Sequence, residues 1–110
     1  MSALSRPFLV GHATHPDWRM ALALAAAQID AAQAQETQRA PRTQRPGGEA
    51  AAAATAMLGL AYFTDHYAPH GPALLDELRQ RWPDVAWAGC PAVGIAATGV
   101  EYLDEPALAL

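Results

Sequence analysis

AMLGLAYFTDH, residues 56–66, decides how the rest of this chain is read. From Ala56 to Phe63 it is continuously apolar, then it stops on Thr64, Asp65 and His66. An unbroken apolar run bounded by polar residues suits a central strand covered on both faces. Working outward, Ala68-Pro-His-Gly-Pro72 punctuates the chain and places proline where a new helix accepts it. Leu74, Leu75, Leu78 and Trp82 then recur on one face, Asp76, Glu77, Arg79, Gln80 and Arg81 on the other, until Pro83 ends the helix.

The N-terminal side repeats the alternation. Phe8 to Ala13 is a short apolar run, expected to be the first strand. Thr14-His-Pro-Asp17 follows, with a threonine hydroxyl to cap a first turn and an aspartate at its positive end. Trp18, Leu22, Ala25 and Ile29 make the apolar face of a helix that fades after Ala31. Residues 36–49, ETQRAPRTQRPGGE, lack periodicity and read as a long mobile loop. Val85 to Ala88, Ile95 to Thr98 and Ala107 to Leu110 are expected strands, the last after the turn Asp104-Glu-Pro106. The fold class is therefore α/β: a βαβαβ start with a mostly parallel sheet, followed by a β-hairpin adding antiparallel strands.

At 110 residues the chain is read as one domain, residues 1–110. About half its residues are apolar, but many are alanine. The core must therefore lean on Trp18, Ile29, Met57, Leu58, Tyr62, Phe63, Leu74, Leu78, Trp82 and Trp87. A net charge of −4 with no lysine argues against a nucleic-acid footprint. One cysteine excludes an internal disulfide framework and fits a cytoplasmic protein. No signal peptide is visible, and the longest apolar run is too short to span a bilayer.

Ligands of open α/β sheets bind beyond the carboxyl ends of the parallel strands. Those ends are 11–15, 64–67 and 89–94, so three histidines, Asp65 and Cys90 are expected on one edge, with both helix N-termini. Cys90, in WAGCPAVGIAATG (87–99), is open to several readings. A lone cysteine between apolar strands is most often a small buried hydrophobe. It could also be a nucleophile served by a histidine base, although no oxyanion-hole motif or third orienting group accompanies it. His12, His15, His66 and Cys90 could surround zinc, without the spacing of a zinc motif. Gly89 and Gly94 are expected to let the backbone turn sharply.

Thr14-His-Pro-Asp-Trp18, Leu58-Gly-Leu-Ala-Tyr-Phe-Thr-Asp-His66, Gly89-Cys-Pro-Ala-Val-Gly94 and Thr98-Gly-Val-Glu-Tyr102 together resemble the N-terminal region of the FIST domain. The resemblance implies a sensory domain of a signal-transduction protein that binds a small ligand such as an amino acid, without a cofactor. His12, Thr14, His15, Asp65, His66, Cys90, Pro91 and Gly94 are the expected ligand-binding residues. Pro91 stands where the family commonly has a small hydroxyl residue. The family also continues into a C-terminal FIST portion, which this chain is expected to find in a longer chain or a partner, beside a signalling output partner. Ala107 to Leu110 is apolar with no polar stop, and is expected to form an edge strand through which the chain self-associates.

Overall fold

The computed structural model describes residues 8–39 and 58–110. Strands β1 (His12–Thr14), β2 (Leu58–Thr64), β3 (Ala86–Ala92), β4 (Gly94–Ala97), β5 (Val100–Leu103) and β6 (Ala107–Ala109) alternate with helices α1 (Trp18–Arg39) and α2 (Gly71–Arg81). A 3-10 helix, Asp65–His70, links β2 to α2. Four strands form one sheet in the order β1-β6-β2-β3, and β4 and β5 form a separate antiparallel hairpin. The class is α/β, as expected, with a mixed sheet.

The interior of the sheet differs from the expectation. Among the described residues only β2 and β3 pair in parallel, from Leu58↔Ala86 to Thr64↔Ala92. β1 and β2 run the same way but do not touch, because β6 lies between them and is antiparallel to both. The C-terminal strand is thus an inner strand and not an edge. Leu108 is 1% exposed and faces Ala13 on one side and Phe63 on the other. A three-residue apolar strand has both its hydrogen-bonding sides satisfied there, which an edge could not offer. Val100–Leu103, unassigned in the sequence reading, supplies the second arm of the hairpin.

Both helices lie on one face of the sheet. The main core joins Trp18, Leu22 and Ala25 of α1 and Leu74 and Leu78 of α2 to Ala13, Ala61, Phe63 and Leu108 of the strands. These strand residues share a face by register. α1 buries the expected Trp18, Leu22, Ala25 and Ile29, adding Ala21 and Ala26. It continues to Arg39, beyond the expected fading point, because residues 31–39 contain only helix-tolerant types and neither glycine nor proline. Residues 36–39 of the expected loop therefore belong to α1; the remainder of that loop, and Met57, lie outside the described residues.

The opposite face is only partly covered. The hairpin packs Ile95 and Tyr102 over Ala107, with Ala92, Val100 and Ala109 around them. Beyond it, Leu58, Leu60 and Tyr62 stand 64%, 45% and 42% exposed. β2 is therefore not covered on both faces by the described residues, and Leu58 and Tyr62 are not core. The continuous hydrophobicity of β2 could not reveal this, since the second face is as apolar as the first.

β3 runs straight through Gly89-Cys90-Pro91, where a break was expected. Proline is tolerated there because β3 is an edge strand, with half its N–H groups directed away from the sheet. Neither Gly89 nor Gly94 has a positive φ, so neither serves a sharp turn. A Cβ on Gly89 would meet the Ala61 carbonyl oxygen at 1.7 Å, so closeness to β2 is what demands glycine. The left-handed residues are Gly99, at φ 83° in the β4–β5 turn, and Asp104, at φ 59° in the β5–β6 turn.

Candidate functional site

The carboxyl ends of β1, β2 and β3 share one edge of the sheet, because all three strands run the same way. Thr14, His15, Asp65 and His66 lie there with Thr64, which belonged to the expected strand end but not to the expected ligand-binding residues, and with the β5–β6 turn at Glu105–Pro106, which the motifs did not mark.

Thr64 is the hub of this edge. It is fully buried, and its hydroxyl Oγ1 donates to the Glu105 carbonyl at 2.8 Å while accepting from the Ala107 N–H at 3.0 Å. His66 Nδ1 lies 3.3 Å from the same oxygen. When the threonine proton stays on the nearer Glu105 carbonyl, the neutral His66 tautomer that fits has Nδ1–H as the donor. Its Nε2 then carries a lone pair on an exposed side chain.

His15 has the opposite character. Its Nδ1 accepts from the Asp17 N–H at 2.9 Å, so the ring proton sits on Nε2. Its backbone is held on both sides: the N–H donates to the Pro106 carbonyl at 3.2 Å, and its own carbonyl accepts from the Tyr67 hydroxyl. Tyr67 is buried, and that burial raises its pKa, with Asp17 adding to the effect and the hydrogen bond to His15 opposing it. Thr14 Oγ1 donates to the Pro106 carbonyl at 2.6 Å and lies 3.3 Å from a carboxylate oxygen of Glu105.

Thr14 consequently does not cap α1. The cap is Asp17, whose Oδ1 accepts the Arg19 N–H at 3.0 Å. The helix begins at Trp18, too far along the chain for Thr14 to reach its first turn. An aspartate occupies the N-terminus of α1, so it is not the open anion site expected of it. The N-terminus of α2 follows directly on the 3-10 helix and carries Pro72.

Of the other expected residues, Cys90 and Pro91 run into the carboxyl end of β3, level with Tyr62 and Phe63 of β2, Gly94 opens the hairpin just beyond it, and His12 turns away to the hairpin. His12, at the start of β1, pairs through Nδ1 with the Tyr102 hydroxyl at 2.7 Å and faces the hairpin. It borders a groove of about 430 Å³ with Phe8, Val10, Gln28, Ala32 and Thr98. Burial raises the Tyr102 pKa, with Glu105 as the lesser cause. Cys90 is exposed, against the usual reading of a lone cysteine as buried, and lies beside Tyr62 on the open face. No histidine hydrogen-bonds it among the described residues. Pro91 follows it on β3, and Gly94 begins β4. No described group of three or more His, Cys, Asp or Glu side chains is gathered as a metal ion requires.

Thr64 and Tyr67 could have been suspected from their places at the end of an apolar strand. Glu105 could not, because only the return of β6 between β1 and β2 brings its turn to this edge. No described helix is long and apolar enough to cross a membrane.

No curated protein and no solved structure matches this chain. A family model does match, over residues 57–110, which takes in β2 to β6 and leaves β1 and α1 outside. Three of the four resembling segments, with the Thr64–Asp65–His66 strand end among them, thus fall inside a match to the FIST N domain, a sensory domain of signal-transduction proteins.

Proposed function

We propose that the chain is a small-ligand-binding sensory module, and that the edge formed by Thr14, His15, Asp65 and His66 receives an amino acid or similar small carboxylate. The observation that carries this reading is the complementary state of the two histidines. His15 offers an N–H at Nε2, suited to a carboxylate oxygen, and His66 offers a lone pair at Nε2, suited to an ammonium group. The Asp65 carboxylate stands next to His66 and supplies the negative charge that an ammonium group seeks. Thr64 and Tyr67 do not face the ligand in this reading. They fix the two histidines from behind, and water keeps access to the ring edges.

Occupancy would be felt beyond this edge. Thr64 bonds His66 on one side and the β5–β6 turn on the other, so a shift of the His66 ring passes to the start of β6. Cytoplasmic location, an output partner and a C-terminal FIST portion complete the proposal.

Thermal-shift measurements against the common amino acids test it. A ligand at about 100 times its dissociation constant adds roughly 2.7 kcal/mol to the folded state. The expected result is a dose-dependent rise in Tm that is lost in both His15→Ala and His66→Ala. A rise that survives both substitutions places the ligand elsewhere, and no rise with any small carboxylate refutes the reading.

A further inference from the structure

The four-stranded sheet has two edges, and the chain treats them in opposite ways. β1 is three residues long, and Gln28 of α1 closes it. The Gln28 amide accepts from the His12 N–H at 3.0 Å and donates to the His12 carbonyl at 2.8 Å, as a neighbouring strand would. Its backbone is therefore unavailable to another strand. β3, at the other edge, is seven residues long, and among the described residues only β2 pairs with it.

Edges of this length are ordinarily blunted by charge, proline, a bulge or a covering element. The sequence of β3, AWAGCPA, holds no charged residue, and Pro91 comes second to last. Ala86 to Cys90 are left with none of these protections among the described residues. Ala86, Ala88, Gly89 and Cys90 are all exposed, and none has a side chain large enough to stop another backbone from approaching.

We propose that β3 is a self-association edge: a second copy of this chain adds its own β3, antiparallel, across a two-fold axis normal to the sheet. The occupant is a copy of the strand itself for two reasons. An uncharged strand meets its own image without opposing like charges, although the whole chain carries −4. The two-fold also keeps both helix layers on one side and both apolar strips, Leu58, Leu60 and Tyr62, on the other. The product is a continuous eight-stranded sheet whose four-stranded halves meet at β3.

Sedimentation of the full chain over a concentration series, with amide hydrogen exchange on the same samples, tests this. The expected result is a monomer–dimer equilibrium in which the amides of residues 86–90 that point away from β2 exchange fast when dilute and slow when dimeric. Ala88→Lys should raise the dimer dissociation constant at least about tenfold. Leu24→Lys, on the exposed side of α1, should leave it unchanged. A chain that stays monomeric throughout overturns the proposal. So does a dimer in which the outward amides of 86–90 remain fast, which would point to a different surface even if Ala88→Lys failed to fold.

Discussion

Gly59 of β2 sits directly across the parallel ladder from Trp87 of β3, and the indole ring occupies the space where a side chain would be. A Cβ built on Gly59 would lie 2.5 Å from both Cε3 and Cζ3 of that ring, and 2.7 Å from Cδ2. Carbon atoms pack at about 3.5–4.0 Å, so Gly59→Ala forces the ring back by roughly 1 Å. Trp87 cannot retreat freely, because Trp82 stands against it at 5.6 Å between centroids. Overpacking of this size costs about 1–3 kcal/mol, offset by about 0.4–1 kcal/mol from the less flexible unfolded chain. The net loss of about 1–2 kcal/mol lowers Tm by roughly 5–10 °C for a domain of this size. Thermal unfolding followed by near-ultraviolet circular dichroism reads the stability and the Trp82–Trp87 pair together. Trp87→Leu in the same chain should absorb most of the Gly59→Ala penalty, a coupling that a double-mutant cycle isolates. An unchanged or higher Tm for Gly59→Ala, or strict additivity with Trp87→Leu, would refute this account of why glycine is there.

Thr64→Val keeps the shape but leaves the buried Ala107 N–H without its acceptor, so urea unfolding should show a loss of about 1–3 kcal/mol, against no loss if that bond is dispensable. Gln28→Ala frees both His12 backbone groups to water and should cost about 1 kcal/mol or less, with faster exchange of the His12 amide as the direct readout. Tyr67 and Tyr102 both have folded-state pKa values raised above 10.0, so their folded forms hold protons that the unfolded chain has lost. That contribution is intact below pH 10.0 and is lost as pH rises through the higher folded values; Tyr67→Phe should flatten the alkaline decline, and an unchanged decline would exclude Tyr67 as its source.

The helices were legible because their signals are local. Trp18, Leu22, Ala25 and Ile29, or Leu74 and Leu78, lie on one face through helical periodicity alone, and all are buried. The strand ends were legible for the same reason: β2 stops at Thr64, where the apolar run stops. The order of strands in the sheet was not. Nothing within residues 107–109 distinguishes a strand inserted between two others from one added at an edge, because that choice is made by pairing over distance. The candidate site was correspondingly legible in part. Its histidines and Asp65 stand in strand-end motifs, whereas Glu105 arrives only through tertiary structure. His12 was grouped with His15 by nearness in sequence, yet it serves the hairpin through Tyr102.

The inner position of β6 also sets the order in which this molecule can assemble. β2, α2 and β3 are consecutive, and their contacts can close while the chain is still being synthesised. β1 has no such option, since its only strand partner among the described residues is 107–109. A nascent chain therefore exposes β1 and the free side of β2 until the β6 segment has left the ribosome. Closing so long a loop is entropically modest, growing only with the logarithm of its length, but such high contact order slows folding. Vectorial synthesis and sheet completion are thus separated in time, with the joining of β1 and β2 to β6 as the late step.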